Sequence, residues 1–361
     1  MSKTGIVSLI AAFLGLIAGA VLMIVTGHDP YEGYSYLFQG GLKNLERIGN
    51  TLATATPLIF TGLSVAFAFR TGLFNIGVPG QMLFGGFLAT AAALSWDLPR
   101  GLMIPVLILV AIIGGAIWAF IPGLLKAKFN VHEVVSSIMM NWIAFWLVYY
   151  LVPKYFRGTG SETESKAIPN AASLKASFLT DWFHGSYVNL GLILAIVATI
   201  VIAFIINKTT LGYELKAVGF NRHAAEYAGI AVNRSIVMSM LIAGALAGLG
   251  GLAQYTGNAS NIQIGVMPTQ GFDGIAVALL GANTPIGVFA SAAFFGLLYS
   301  GRGFMNANTD IPPEIADSII AIIIYFAATS ILIERLVRYL LKRRANRPTV
   351  DPVIKEKGEG N

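Results

Sequence analysis

Long apolar runs, separated by short polar stretches, set the hydrophobic pattern of this chain. A helix needs about 20 predominantly apolar residues to cross the hydrocarbon core of a bilayer. Eight runs come close to or exceed that length, at residues 5–26, 51–70, 101–123, 134–152, 187–206, 235–256, 286–304 and 315–334. The pattern therefore predicts an all-α polytopic membrane protein.

Two further apolar stretches are shorter and are punctuated by glycine. Residues 80–95 follow the sequence Asn-Ile-Gly-Val-Pro-Gly at 75–80, and residues 271–283 begin with Gly-Phe-Asp-Gly. Such segments are typical of broken or re-entrant helices, whose free backbone groups must be satisfied by protein or by a water-filled cavity. We therefore expect about ten transmembrane segments, two of them short and broken.

The two broken segments also indicate an internal repeat. In each, a glycine-rich break precedes an apolar helix that contains small residues. Pairs of interrupted helices in corresponding positions are common in transporters built from inverted repeats. The sequence therefore predicts that 51–152 and 235–334 are related halves of an inverted repeat.

Three polar segments and a charged tail complete the chain. Residues 27–50 and 153–186 have the composition of ordinary soluble loops. Residues 207–234 mix alanine-rich helical spacing with glycines and scattered charge, which predicts short amphipathic helices at a membrane surface. Residues 342–361 are charged and contain proline, so we expect a disordered tail after a transmembrane domain at 1–341.

Composition agrees with a membrane protein and excludes several kinds of site. Of the 361 residues, 55% are hydrophobic and 12% are charged, whereas soluble proteins have roughly 25% charged residues. The 40 glycines fit the close helix packing found in lipid. The absence of cysteine excludes disulfides, thiolate catalysis, iron–sulfur clusters and cysteine-based zinc sites.

The positive charges behind the net charge of +6 indicate how the chain is oriented in the membrane. If the N-terminus lies in the cytoplasm and the chain crosses ten times, the C-terminus is cytoplasmic too. About two thirds of the 24 Lys and Arg residues then lie on the cytoplasmic side, as the positive-inside rule requires. We therefore predict that both termini are cytoplasmic and that the chain has no nucleic-acid partner.

Catalytic patterns are incomplete. His132 and Glu133 begin like a zinc-protease motif, but the second histidine of that motif is replaced by Ser136. A membrane enzyme that depends on His132 or Glu133 stays an alternative, and capping of the helix that starts at 134 is the simpler role for both. No Gly-Lys pair exists for a nucleotide-binding loop. We predict no catalytic residue, no metal site and no bound cofactor.

Ion-coupled carriers need ionisable groups at membrane depth. Here the charged residues fall at the ends of the predicted spans, and Asp273 and Asp317 come nearest to an exception. A channel filter or a ring of charges is not visible either. The distribution of charge therefore indicates that the energy for transport comes from a partner.

Several short motifs, in one order along the chain, carry a family resemblance. They lie at residues 61–63, 72–86, 122–128, 133–135, 140–142, 210–212, 216–221, 224–230 and 244–251. Together they resemble the permease subunits of ABC importers in the branched-chain amino acid and ribose class, most closely its nucleoside and simple-sugar branch. The resemblance covers residues 57–325. In one departure, His223 stands where many ABC importers have a glutamate.

This resemblance implies a permease of the bacterial plasma membrane that forms a substrate path and couples it to separate ATPase subunits, which use the ATP. It implies three partners besides membrane lipid: a second permease (a related chain or a copy of this one), a cytoplasmic ABC ATPase, and an extracellular binding lipoprotein that docks on 27–50 and 153–186. Nucleosides are the expected substrates. The alternatives are an ABC permease for a simple sugar or a branched-chain amino acid, and a stand-alone secondary carrier.

The resemblance places ATPase coupling in the cytoplasmic region 207–234. Alanines allow a short helix to enter a groove closely, Asn221 can cap this helix, and Gly229 can end it. An ordinary linker is the alternative. The expected coupling residues are Gly219, Asn221, Ala224, Ala225, Glu226 and Gly229.

A substrate path needs polar groups at mid-membrane and glycines that let the backbone approach. The expected lining residues are Phe74, Asn75, Gly77, Gly80, Gln81, Asn141 and Asp273. For each polar residue taken singly, a hydrogen bond between helices is the alternative role.

Overall fold

The computed structural model describes residues 3–158 and 163–329, and it is helical throughout these ranges apart from turns and three isolated β-bridges. The helices are α1 (Lys3–Val25), α2 (Pro30–Leu42), α3 (Leu45–Arg70), α4 (Val78–Ser95), α5 (Arg100–Phe129), α6 (Glu133–Tyr155), α7 (Ser177–Trp182), α8 (Leu190–Lys208), α9 (Thr210–Phe220), α10 (Arg222–Tyr227), α11 (Val232–Leu252), α12 (Gln270–Leu280), α13 (Pro285–Asn308) and α14 (Pro313–Ala328). A 3₁₀ turn at Asn170–Ala172 and a π-helical turn at Ala253–Asn258 complete the list.

The helices have the lengths that a polytopic membrane protein requires. Within the described ranges, seven helices are long and apolar enough to cross a membrane, and two shorter apolar helices cover Leu9–Val25 and Gln270–Leu280. The prediction of an all-α polytopic membrane protein is therefore confirmed. The last predicted span runs past the described residues, and so does the predicted tail at 342–361.

The predicted loop at 27–50 is wrong, because most of it is helical. Asp29 accepts a hydrogen bond from the backbone of Tyr31 at 2.9 Å, and Pro30 occupies the first turn of α2. This helix packs against α13, where Gly40 lies against Gly301. Glycine together with polar residues gives α2 the composition of a loop, yet glycine is the residue that allows this close helix contact.

Glycines also set the centre of the bundle, where α4, α5 and α11 meet. A methyl group added at Gly85 would lie 2.6 Å from the Cα atom of Gly248, and one added at Gly115 would overlap the carbonyl oxygen of Gly244. These helices therefore touch backbone to backbone. In lipid, such contacts replace the hydrophobic drive that holds helices together in water.

The pairing of helices fits two related halves. Helix α5 of the first half packs along α11 of the second, and α13 of the second half packs along α3 of the first. Likewise α4 packs on α11, and α12 packs on α3. Exchanging the halves therefore exchanges these contacts. The inverted repeat stays a prediction, and superposition of 51–152 on 235–334 tests it over the described residues.

The bundle has two ends, which we name by their contents. The coupling end holds α9 and α10 together with the end of α3, since Gly219 lies against Arg70 and Gly72. The far end holds the described residues of the predicted loop 153–186. They contain α7 and a 3₁₀ turn, and they pair with the linker after α11 through a bridge between Glu164 and Gln263.

Candidate functional site

The break before α4 is held by a closed pair of amides. Asn75 Nδ2 donates to Gln81 Oε1 at 2.9 Å, and Gln81 Nε2 donates back to Asn75 Oδ1 at 3.0 Å. Asn75 Oδ1 also accepts the backbone N–H of Gly77 at 3.2 Å. Both side chains are fully buried. The polar groups at the break therefore satisfy one another and fix the first turn of α4.

Asn141 of α6 joins the same network. Its Oδ1 accepts the backbone N–H of Gly80 at 2.9 Å, and its Nδ2 donates to the carbonyl of Ile76 at 3.0 Å. A methyl group added at Gly80 would lie 2.8 Å from the Cα atom of Asn141. One side chain therefore satisfies a free donor and a free acceptor of the broken backbone, as irregular backbone in a membrane requires.

The two broken helices start at one point in the bundle. A methyl group added at Gly271, in the first turn of α12, would lie 2.5 Å from the Cα atom of Pro79 in the first turn of α4. Asp273 lies two residues further along α12 and is half-buried. Phe74 stacks on Phe69, with ring centroids 5.4 Å apart. The structure thus brings Asn75, Gly77, Gly80, Gln81 and Asn141 into one network, with Phe74 on the coupling side. Asp273 lies outside this network and interacts instead with Tyr299 of α13.

The coupling segment, α9 and α10 with residues 228–231, has the ends that the sequence predicts. Asn221 Oδ1 accepts the backbone N–H groups of His223 and Ala224, both at 3.0 Å. Gly229 has a positive φ of 81° and follows the last turn of α10. Asn221 therefore caps the short helix, and Gly229 takes the left-handed conformation that ends it.

The two faces of α10 differ in what they contact. Ala225 is buried in a cluster with Val218 and Val232 of the same chain. Ala224 and Glu226 are exposed. Two aromatic rings that the sequence analysis missed are the most open, since Phe220 is 92% exposed and Tyr227 is 95% exposed. Large exposed apolar side chains that cluster together mark contact surfaces, and their exposure could not be deduced from helical spacing in such short helices.

A continuous contact joins the coupling segment to the break before α4. A methyl group added at Gly219 would overlap the carbonyl oxygen of Arg70. Nearby, the hydroxyl of Thr71 donates to the hydroxyl of Ser239 in α11 at 2.8 Å. Movement of α9 would therefore push directly on the loop that carries Asn75.

His132 has the capping role expected of it, whereas Glu133 forms an ion pair with a neighbouring helix. His132 Nδ1 accepts the backbone N–H of Val134 at 3.4 Å and caps α6. Glu133 lies in the first turn of α6 and pairs with Lys126 of α5 at 2.9 Å. No group of three or more metal-ligating side chains occurs among the described residues.

One ion pair between two helices was missed by the sequence analysis. Arg302 lies on α13, six residues before its end, and forms an ion pair with Asp317 of α14. Its guanidinium carbon also lies 5.7 Å from the ring centre of Tyr299. The paired charge explains why two ionisable residues are tolerated on adjacent membrane helices, and only the juxtaposition of α13 with α14 reveals it.

The amide pair predicts a non-additive effect on stability. Asn75→Ala or Gln81→Ala leaves one buried amide without its partner, so each should lower the free energy of unfolding by about 1–3 kcal/mol. The double variant removes both groups, so its loss of unfolding free energy should be smaller than the sum of the two single losses. Thermal unfolding of the four proteins in detergent measures the cycle. Additive losses would show that the two amides do not depend on each other.

Comparison with known proteins gives the family. A family model described as the permease component of the branched-chain amino acid transport system matches residues 47–328. The guanosine ABC transporter permease NupP of Bacillus subtilis is 44% identical over 94% of this chain and 98% of its own length. The nucleoside ABC transporter permease NupB of Lactococcus lactis is 40% identical over 98% of this chain and 97% of its own length. The glucose ABC transporter permease TsgB13 of Haloferax volcanii is 32% identical over 96% of this chain and 93% of its own length.

A second, weaker likeness concerns permeases from the same two bacteria. The guanosine permease NupQ of B. subtilis is 29% identical over 69% of this chain, and the nucleoside permease NupC of L. lactis is 29% identical over 70%. Each bacterium thus has two related permeases with the same named substrate. With most of its length matched by the family model and by relatives of 40% identity or more, this chain belongs to the family of permease components of the branched-chain amino acid transport system.

Proposed function

We propose that this chain is a membrane-spanning subunit of an ATP-driven ABC importer for nucleosides. The observation that carries the proposal is the identity of 44% and 40% to permeases named for guanosine and for nucleosides, over nearly the whole chain. As a family member the chain is a multi-pass transport component. Its own residues form a path for the substrate and a docking surface for the ATPase.

The geometry supports a division of labour within the chain. The broken helices α4 and α12 start at one point, beside Asn75 and Gln81, which is the arrangement by which transporters form a site near mid-membrane. The coupling segment exposes Phe220 and Tyr227 and contacts the loop before α4 through Gly219. Force applied to α10 would therefore reach the break through van der Waals contact.

The partners follow from this arrangement. A second permease of the same family completes the path, as the paired permeases of B. subtilis and L. lactis support. A cytoplasmic ATPase docks on the coupling segment and hydrolyses ATP, so that this chain carries out no chemistry and binds no cofactor. An extracellular binding protein docks on the far end and delivers the nucleoside.

Sidedness follows from the coupling role. If α9 and α10 meet a cytoplasmic ATPase, alternation along the helices places the N-terminus and the C-terminus in the cytoplasm and the far end outside a bacterial plasma membrane. A simple sugar is the second candidate substrate, because the glucose permease TsgB13 is 32% identical over nearly the full chain.

Reconstitution tests the proposal. Proteoliposomes that hold this chain, its second permease and its ATPase, supplied with the loaded binding protein, should take up radiolabelled guanosine with ATP and not without it. Guanosine and glucose are compared in the same vesicles. Guanosine uptake by vesicles that lack the ATPase would show a secondary carrier instead, and uptake of glucose alone would assign the sugar.

A further inference from the structure

A polar cavity lies at the far end of the bundle, directly beyond the point where α4 and α12 begin. Its volume is about 340 Å³, which falls within the range of about 300–1,000 Å³ found for small-molecule sites. It is lined by the π-helical turn after α11, the linker 259–269 and Gln270, the first residue of α12. The next residue, Gly271, is the one that touches Pro79.

Four residues with side-chain amides line the cavity, together with apolar residues such as Val266 and Met267. Gln254, Asn261, Gln263 and Gln270 all contribute side chains to it. Asn261 and Gln263 are held by the carboxylate of Glu164, to which their amide nitrogens donate, so that their carbonyl oxygens stay available. The amides of Gln254 and Gln270 make no side-chain hydrogen bond among the described residues.

Tyr255 is the second feature that points to a ligand. The residue is 9% exposed, it lies against Gly86 of α4, and its hydroxyl has no hydrogen-bond partner within the described part of the chain. The hydroxyl is not fully enclosed by protein, and Tyr255 lines the cavity. A molecule in the cavity could therefore accept a hydrogen bond from it.

The π-helical turn explains why these groups converge. Wider winding over Ala253–Asn258 presents Gln254 and Tyr255 on the cavity, and such turns occur often at functional sites. Glutamine and asparagine carry a donor and an acceptor side by side, which matches the edge of a nucleobase. An aromatic ring adds a face for base contact.

We infer that this cavity is a binding subsite for the base of a nucleoside on its way to the break between α4 and α12, with Gln254, Tyr255 and Gln270 as the recognising residues. The inference rests on the proposed function, since it takes nucleosides as the substrates. It goes beyond that function by naming where and by which groups the permease itself contacts the base.

Two variants test the subsite with little risk to folding. Tyr255→Phe deletes only the hydroxyl, which has no partner to lose, and should lower guanosine uptake by the complete transporter about fivefold to tenfold. Ala259→Trp fills the cavity from its linker side and should lower uptake further. The thermal unfolding temperature of both should match that of the wild type. Gln39→Leu, an amide on α2 outside the cavity, is the matched control and should transport normally.

Selectivity separates recognition from a structural role. Uptake of guanosine, adenosine, cytidine and uridine is compared for Gln270→Leu and Gln254→Leu at saturating loaded binding protein. Amides that read the base should change the ratios of the four rates, whereas a structural defect would scale all four equally. Unchanged uptake by Tyr255→Phe and Ala259→Trp, or equal scaling by the glutamine variants, overturns the subsite while the proposed function stands. A wild-type transporter that takes up no nucleoside refutes both.

Discussion

Gly115→Leu should abolish the folded bundle. The side chain would enter the contact between α5 and α11, where even a methyl group at this position overlaps the carbonyl oxygen of Gly244 and lies 2.9 Å from the Cα atom of Gly248. Two backbones must separate to make room, and the loss spreads to α4 through Gly85. Overpacking typically costs about 1–3 kcal/mol and more where the backbone must move, which is a large part of a protein's net stability.

The same helix offers a matched control. Gly101 lies in the first turn of α5, is exposed, and a methyl group there meets nothing within 4 Å. Gly101→Leu makes the identical chemical change and should leave the protein intact. Membrane-fraction yield and thermal unfolding in detergent give the comparison. A Gly115→Leu protein with the wild-type unfolding temperature would show that these helices are not in backbone contact.

Removing the two exposed rings of the coupling segment should uncouple transport from ATP hydrolysis. Phe220 and Tyr227 are almost fully exposed, so Phe220→Ala/Tyr227→Ala should not change the thermal unfolding of the permease. Aromatic anchors at an interface are worth about 2 kcal/mol or more each, and every 1.4 kcal/mol is tenfold in affinity. We expect ATP-driven uptake to fall at least about tenfold.

Two further measurements make this test specific. Phe129→Ala removes an exposed ring at the end of α5, at the same end of the bundle but outside the coupling segment, and should retain uptake. Co-purification of the ATPase should be lost with the double variant and kept with Phe129→Ala. Full uptake by the double variant would exclude these rings from docking. A charged residue at Ala225 is a poorer probe, because Ala225 packs within its own chain.

Local chemistry made several features predictable. The apolar run at 134–152 became α6 (Glu133–Tyr155), and the run at 80–95 became α4 (Val78–Ser95). Asn221 as a cap and Gly229 as a helix end follow from hydrogen bonding and backbone freedom within a few residues. Such features depend on neighbours along the chain, which the sequence displays directly.

Features that depend on neighbours in space were not predictable in the same way. Helix α2 resembled a loop because hydropathy does not distinguish a polar loop from a glycine-rich helix that packs against α13. The ion pair between Arg302 and Asp317 was not predicted, because it joins two different helices. Phe220 and Tyr227 escaped notice because the sequence does not show which rings the folded chain leaves uncovered.

By itself, the sequence determined that the chain is helical, crosses a membrane many times, and carries two broken segments, because the transfer of apolar residues into lipid and the backbone preferences of glycine and proline act locally. The tertiary structure alone decided that both breaks meet at Pro79 and Gly271, that Asn75, Gln81 and Asn141 satisfy one another, and that a polar cavity lies beyond them. These properties arise from close packing between distant helices, where the absence of a side chain at glycine sets the distance and the few buried polar groups must find partners.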